Sequence, residues 1–297
     1  MRIFLLFFIL ITANIFIYAQ DDSGSLLDGI EEEEEVNYIT NAFKSSRVIN
    51  SHSIEMLRAG VLDFRILHRF GELSGGAYEL FGLDQATMRM SFDYGITDNI
   101  TAGIGRSTNK KEIDAFVKYR ILQQSTGKRK MPISLIWASG LMVNGLKNPF
   151  PIADSLQKFS QRISYYHQIV IGRKFSERFS LQLSPTLLHM NLTESIVEPN
   201  DVFALGIGTR FRISKRVSIN LDTYYPFNKF LNRTSTIPLS IGFDIETGGH
   251  VFQLHISNAT GMNERAFIID NNGNFLKGQF RLGFNLTRWF QVKNVKK

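Results

Sequence analysis

Apolar and polar side chains alternate one by one through most of this chain, and few folds can use that pattern. In Val217-Ser218-Ile219-Asn220-Leu221-Asp222-Thr223-Tyr224-Tyr225 one face carries Val, Ile, Leu, Thr and Tyr225; the other carries Ser, Asn and Asp before Tyr224. In Gln279-Phe280-Arg281-Leu282-Gly283-Phe284-Asn285-Leu286 the apolar face is Phe280, Leu282, Phe284 and Leu286. Successive side chains of a pleated strand point to opposite faces, so each stretch presents one oily wall and one polar wall. The alternation recurs in 203–208, 239–246 and 252–257. About twelve segments read this way: 61–70, 86–95, 99–106, 112–122, 131–143, 163–174, 179–190, 202–213, 216–225, 237–247, 250–259 and 278–290. Most approach the 9–11 residues with which a tilted strand crosses a bilayer.

Connection lengths alternate too. Ile96-Thr97-Asp98, Ser176-Glu177-Arg178, Ser214-Lys215 and Gly248-Gly249 are short, whereas 71–85, 144–162, 191–201, 226–236 and 260–277 are long. Tight periplasmic turns opposite long external loops characterise bacterial barrels, and an even strand number leaves both termini periplasmic. A soluble β-sandwich alternates in the same way. Aromatic residues near strand ends (Tyr94, Phe175, Phe179, Tyr224, Tyr225, Trp289, Phe290) and a small, polar second face favour the membrane reading. The expected fold is all-β: a transmembrane antiparallel up-and-down β-barrel of about 12 strands, with a short periplasmic N-terminal segment. Within 61–70, Asp63, Arg65 and Arg69 share a face with Val61 and Leu67, which sends Leu62, Phe64 and Ile66 to lipid. Pro185 falls inside a segment of a closed sheet that has no edge strand, so a bulge or a break is expected there.

The N-terminus reads as an export signal over 1–19. Arg2 precedes an apolar core from Ile3 to Ile11, and Ala19 precedes the polar Gln20-Asp21-Asp22. With Asn14 inside it, the run is short for a spanning helix. No cysteine occurs in the 297 residues, which excludes disulfides, thiolate metal sites and lipidation at a cysteine. Removing the leader lowers the net charge from +7 to +6; in an exported chain this basicity does not point to nucleic acid. Residues 20–58 form an acidic periplasmic arm, with Glu31–Glu35 solvated by self-repulsion, followed by a candidate plug. The barrel occupies 59–290, and 291–297 is a basic periplasmic tail.

Some stretches carry a resemblance. Phe43 to Asn50, His52 to Glu55, Gly60 to Gly71, Gly76 to Thr87, Tyr94 to Asp98 and Gly103 to Ser107 resemble a family of uncharacterised bacterial outer-membrane β-barrel proteins. The resemblance implies the barrel fold and the outer membrane, and it supplies no catalytic or ligand residues.

Chemistry is sparse. His255 and Ser257 lie two apart on a strand, the spacing in outer-membrane phospholipases. Here the pair shares a face with Gln253 while Phe252, Leu254 and Ile256 face lipid, so both read as lumen residues. No spacing joins His52, His68, His167, His189 or His250 to carboxylates as a zinc or non-haem iron site would require, and no metal or cofactor is implied. Gly206-Ile207-Gly208 precedes no helix, so its small residues make room in the lumen rather than cradle a phosphate. Charges at membrane depth must point inward. The candidate lumen residues are Asp63, Arg65, Arg89, Asp93, Asp114, Lys118, Arg120, Arg210, Arg212, Asp222, Asp244, Glu246, His255 and Arg281. The candidate plug residues are Lys44, Arg47, His52 and Glu55, on a segment 36–58 expected to fold into or across the periplasmic mouth. Lys128-Arg129-Lys130, Arg173-Lys174, Arg178, Lys215-Arg216, Arg288, Lys293, Lys296 and Lys297 line the periplasmic rim, where they can attract the acidic run.

The leading functional expectation is a narrow small-solute pore or a structural component of the envelope, and no enzyme. A barrel docking a periplasmic or surface ligand through its arm or loops is the alternative, and a barrel-embedded lipid hydrolase a remote one. Outer-membrane lipid and lipopolysaccharide are the expected surroundings, with a periplasmic partner as a further candidate.

Overall fold

The computed structural model describes residues 35–150, 156–193, 195, 197–228, 236–247 and 250–293. The expected leader at 1–19, Glu31–Glu34, Lys296 and Lys297 lie outside the described residues. Among the described residues fourteen strands form, of which β1 (Val36–Tyr38) and β6 (Ser125–Gly127) pair with each other in a separate two-stranded sheet. The other twelve are β2 (Val61–Glu72), β3 (Ala86–Thr97), β4 (Ile100–Ser107), β5 (Ile113–Leu122), β7 (Ser134–Val143), β8 (Ile163–Lys174), β9 (Phe179–Met190), β10 (Asp201–Arg212), β11 (Val217–Pro226), β12 (Leu239–Thr247), β13 (His250–Ser257) and β14 (Arg281–Gln291). They close into one antiparallel barrel in chain order, with β14 returning to β2. Closure removes the sheet edges, so the backbone polar groups of the wall can pair strand to strand, as hydrocarbon requires.

The alternation decides which way each residue faces. On β2 the buried residues are Asp63, Arg65, Leu67, Arg69 and Gly71, while Leu62, Phe64 and Ile66 turn outward. Phe92, Ile104, Val117, Phe203, Phe243 and Leu254 lie exposed on six strands, far more oil than a water-soluble monomer presents in one band.

One end of the barrel gathers the tight turns 98–99, 175–178 and 213–216 and the chain's entry and exit at Gly60 and Val292. The other gathers the long connections. Two connections depart from the alternation: 108–112 is short at the loop end, and the β5–β7 connection at the turn end is long enough to hold β6.

Pro185 produces neither the bulge nor the break expected of it. β9 runs unbroken from Phe179 to Met190, and Pro185 pairs with Leu205 on β10. The cost falls on the other neighbour, where β8 and β9 keep one register but lose the pairs of Ile169 and Val170.

Candidate functional site: the occluded lumen

Residues 42–57 lie inside the barrel, with exposed Asn41 at its turn-end mouth. Gly95 makes their entry feasible, since a Cβ there would come within 2.1 Å of the Arg58 carbonyl oxygen. The segment forms a tight loop in which the Val48 amide donates to the Ser51 carbonyl (2.9 Å) and the Ser53 amide to the Ser46 carbonyl (3.0 Å). Its apolar residues Ala42, Phe43, Val48 and Ile54 pack on Ile136 and Val170 of the wall.

The polar contacts are mostly between wall side chains and the backbone of this segment. One carboxylate oxygen of Asp222 accepts the consecutive amides of Ile49 (3.3 Å), Asn50 (2.7 Å) and Ser51 (2.9 Å). Lys118 donates to the carbonyls of Ser46 (3.3 Å), Ser53 (2.9 Å) and Glu55 (2.8 Å). Arg210 holds the carbonyls of Asn41 (2.9 Å) and Ala42 (3.2 Å), and Gln182 brackets Ile54 and His52. Arg69 reaches Asn50 Oδ1 (2.6 Å), and Arg65 reaches the hydroxyls of Ser45 and Ser46. Backbone groups taken from water must find partners, and here the wall supplies them.

A second element fills the lumen from the loop end. The connection from β13 to β14 was expected to be an external loop; instead it folds inward as a short helix, α1 (Glu264–Ile268). Asn263 caps it, accepting the Ala266 amide (2.9 Å). Phe267 and Ile268 pack among inward-facing Phe116, Met142, Tyr166, Leu188 and Tyr224. The inner wall is therefore apolar at this level rather than uniformly wet. Tyr224 belongs to it: expected at a headgroup, it is buried, its ring 5.2 Å from that of Phe267 and its hydroxyl 2.6 Å from Gln168.

The two inserts meet at Glu264. Arg47 donates to its carboxylate at 3.0 Å, and His52 Nε2 lies 3.2 Å from the same oxygen and 2.8 Å from the Tyr166 hydroxyl. Burial holds the His52 imidazole well below its ordinary value, and the cations Arg47, Lys118, Arg89 and Arg65 push the same way, so the ring is neutral. Burial raises the Glu264 carboxyl, opposed by Arg47. Burial also raises Glu55, whose carboxylate accepts the Phe43 amide at 3.1 Å.

The remaining candidate residues divide into interior and rim. Arg89 pairs with Asp114 (2.5 Å) and Arg65 with Asp63 (3.3 Å) and more loosely Asp93 (3.9 Å), all buried; Asp244 accepts from Gln253 at 2.6 Å. Glu246 pairs with Lys44 at the turn end. Arg212 and Arg120 belong to the turn-end rim rather than the packed lumen: Arg212 reaches exposed Glu177 (3.3 Å) and Arg120 reaches Gln123 (2.8 Å). Arg281 sits at the loop end on Glu72 (2.5 Å). His255 is buried inward, but Ser257 shares its hydroxyl with Ser240 (2.7 Å), and among the described residues no hydrogen bond joins the two. Among the described residues no group of three or more His, Asp and Glu could hold a metal ion. Sequence reasoning missed Glu264, Arg265 and Glu112. Arg265 pairs with Glu112 and with Asp270 (2.8 Å), and Lys110 pairs with Asp270 (2.9 Å), fastening α1 to the loop before β5.

A family described as a membrane-bound beta barrel domain (DUF5777) matches residues 43–290. The chain belongs to this family. The match begins inside the lumen, so the inner segment is part of the family's domain together with the wall. No curated protein matches the sequence. Among solved structures, the chain is similar to the NanC porin at 9% identity and TM-score 0.48, over 76% of this chain and 97% of that one. It is similar to the COG4313 outer membrane channel from Pseudomonas putida F1 at 13% and 0.46, over 80% and 98%, and to the KdgM porin at 8% and 0.44, over 77% and 98%.

Proposed function

We propose that this protein is an outer-membrane pore for small polar solutes, kept closed by two inserts that meet at Glu264: its N-terminal segment, acting as a plug from the turn end, and α1 at the loop end. The turn end faces the periplasm in this reading, following the rule that bacterial barrels keep their tight turns inside. The observation that carries it is the bonding at Asp222 and Lys118: the wall grips the segment through six backbone groups, with no covalent tie. Water can take the place of hydrogen bonds of this kind when the segment leaves. The wall behind the segment is lined by Arg65, Arg69, Lys118, Asp222 and Asp244, a surface suited to hydrated solutes once uncovered. Planar-bilayer recording tests the proposal. The intact protein should show rare openings, and Asp222→Ala should raise their frequency. Equal, continuous conductance in both proteins would refute the plug, and silence in both would refute the pore.

A further inference from the structure

The gap at Pro185 has a chemistry of its own. Gln168↔Thr186 and Ile171↔Leu183 fix one register, which sets Pro185 opposite Ile169. Proline has no N–H, so the Ile169 carbonyl receives no hydrogen bond from its cross-strand partner, and the adjoining pair at Val170 is lost with it. The wall here faces hydrocarbon, where a carbonyl that the ladder does not serve is costly.

Outside this gap lies a groove of about 340 Å³, walled by Trp137, Ile169, Pro185, Leu187, Phe203 and Phe227. His167 stands in the same groove. Its Nδ1 is 3.0 Å from Ser139 Oγ, and its ring lies parallel to Trp137 with centroids 6.4 Å apart. The Ser139 hydroxyl donates to the Tyr166 carbonyl (3.1 Å), so Nδ1 carries the ring proton toward Ser139 and Nε2 is left as an acceptor. An apolar trough with a few polar groups in its wall is the usual make-up of a small-molecule site.

We propose that this groove binds a free fatty acid from within the bilayer. The acid's protonated carboxyl donates its single O–H to the Ile169 carbonyl, beside the second acceptor at His167. Its hydrocarbon lies along Trp137, Leu187 and Phe203. A ligand reaching this face must travel through lipid, so it is largely apolar, and the groove offers an acceptor that only a donor can use. The site is separate from the lumen and does not depend on the pore proposal.

The chain has two tryptophans, so Trp289→Phe leaves Trp137 as the sole reporter. The full-length protein in detergent is titrated with a dibrominated fatty acid, which quenches tryptophan on contact. Saturable quenching is expected. The methyl ester of the same acid, which lacks the O–H, and the variant Pro185→Ala, which returns an N–H to Ile169, should each weaken half-saturation by about tenfold or more. Pro185→Ala restores a ladder bond, so loss of the fold does not explain weaker binding, and heat-modifiable mobility on gels checks this. Quenching that only rises in proportion to acid loading, or identical curves for acid, ester and variant, would overturn the site.

Discussion

Replacing Asp222 by alanine should loosen the inner segment by an amount the structure allows to be worked out. Two of the amides on its carboxylate are short, at 2.7 and 2.9 Å, and the third is long at 3.3 Å. Hydrogen bonds to a charged group contribute about 1.5–3 kcal/mol each, so the short pair contributes about 3–6 kcal/mol. Alanine also removes the desolvation cost of a buried carboxylate, which brings the net loss to about 2–4 kcal/mol. At about 1.4 kcal/mol per decade, the released form should become about 30 to 700 times more populated. The readout is the labelling rate of a single thiol placed by Val48→Cys, at a position only 1% exposed in a chain without cysteine. When the segment leaves and returns faster than it is labelled, the rate follows the released population, whatever its starting level. Acceleration below threefold would mean that Asp222 does not hold the segment, and the reasoning from the three amides would fail.

Arg47→Ala should destabilise the barrel by about 3–5 kcal/mol in urea unfolding, because it strands the buried Glu264 carboxylate; Arg47→Ala with Glu264→Gln should recover much of that. His52 should make release pH-dependent. The ring is neutral inside, its ordinary value is 6.5, and Arg47, Glu264, Tyr166, Lys118, Arg89 and Arg65 surround it. The closed form therefore keeps its full His52 contribution above about pH 6.5 and loses it as the pH falls toward the lower bound-state value. Glu55, raised by burial, works in the opposite sense, favouring closure as it takes up a proton. The difference in Val48→Cys labelling between His52 and His52→Gln backgrounds isolates the histidine, and a difference that stays flat from pH 7.5 to 5.5 would contradict it. Phe267→Ala should cost about 3–5 kcal/mol and expose α1 to protease from the loop end, since it empties an aromatic site against Tyr224.

Strands were legible in the sequence because a wall with hydrocarbon on one side and polar groups on the other forces period two at each position. Residues 163–174 and 179–190 are strands with the bounds the alternation gives, and β14 begins at Arg281, three residues inside its segment 278–290. The orientation of Asp63, Arg89, Lys118 and Asp222 follows from the same rule. Two things escaped it. Pro185 was read through the sheet's need for continuity, yet a proline lacks one donor on one side only, so β10 still pairs and β8 alone opens. The inward fold of 258–280 escaped because loop conformation leaves no periodic mark. Its signal was the run Phe267-Ile268-Ile269 in a supposed external loop, together with inward Leu188, Met190 and Tyr224 that needed an apolar partner. The site at Glu264 depends on contacts more than two hundred residues apart in sequence, and no local pattern announces such a meeting.

Reversible locking of the inner segment to the wall tests the closed-lumen account most directly. A Cβ at Gly208 would lie 3.0 Å from Val48 Cγ2, close enough for a disulfide once both positions are cysteine. Single-channel current is recorded for Val48→Cys with Gly208→Cys, in the Asp222→Ala background. The oxidised protein should be silent, and adding reductant should start discrete openings within the same membrane. Equal current before and after reduction would mean that solutes pass, or fail to pass, without regard to residues 42–57.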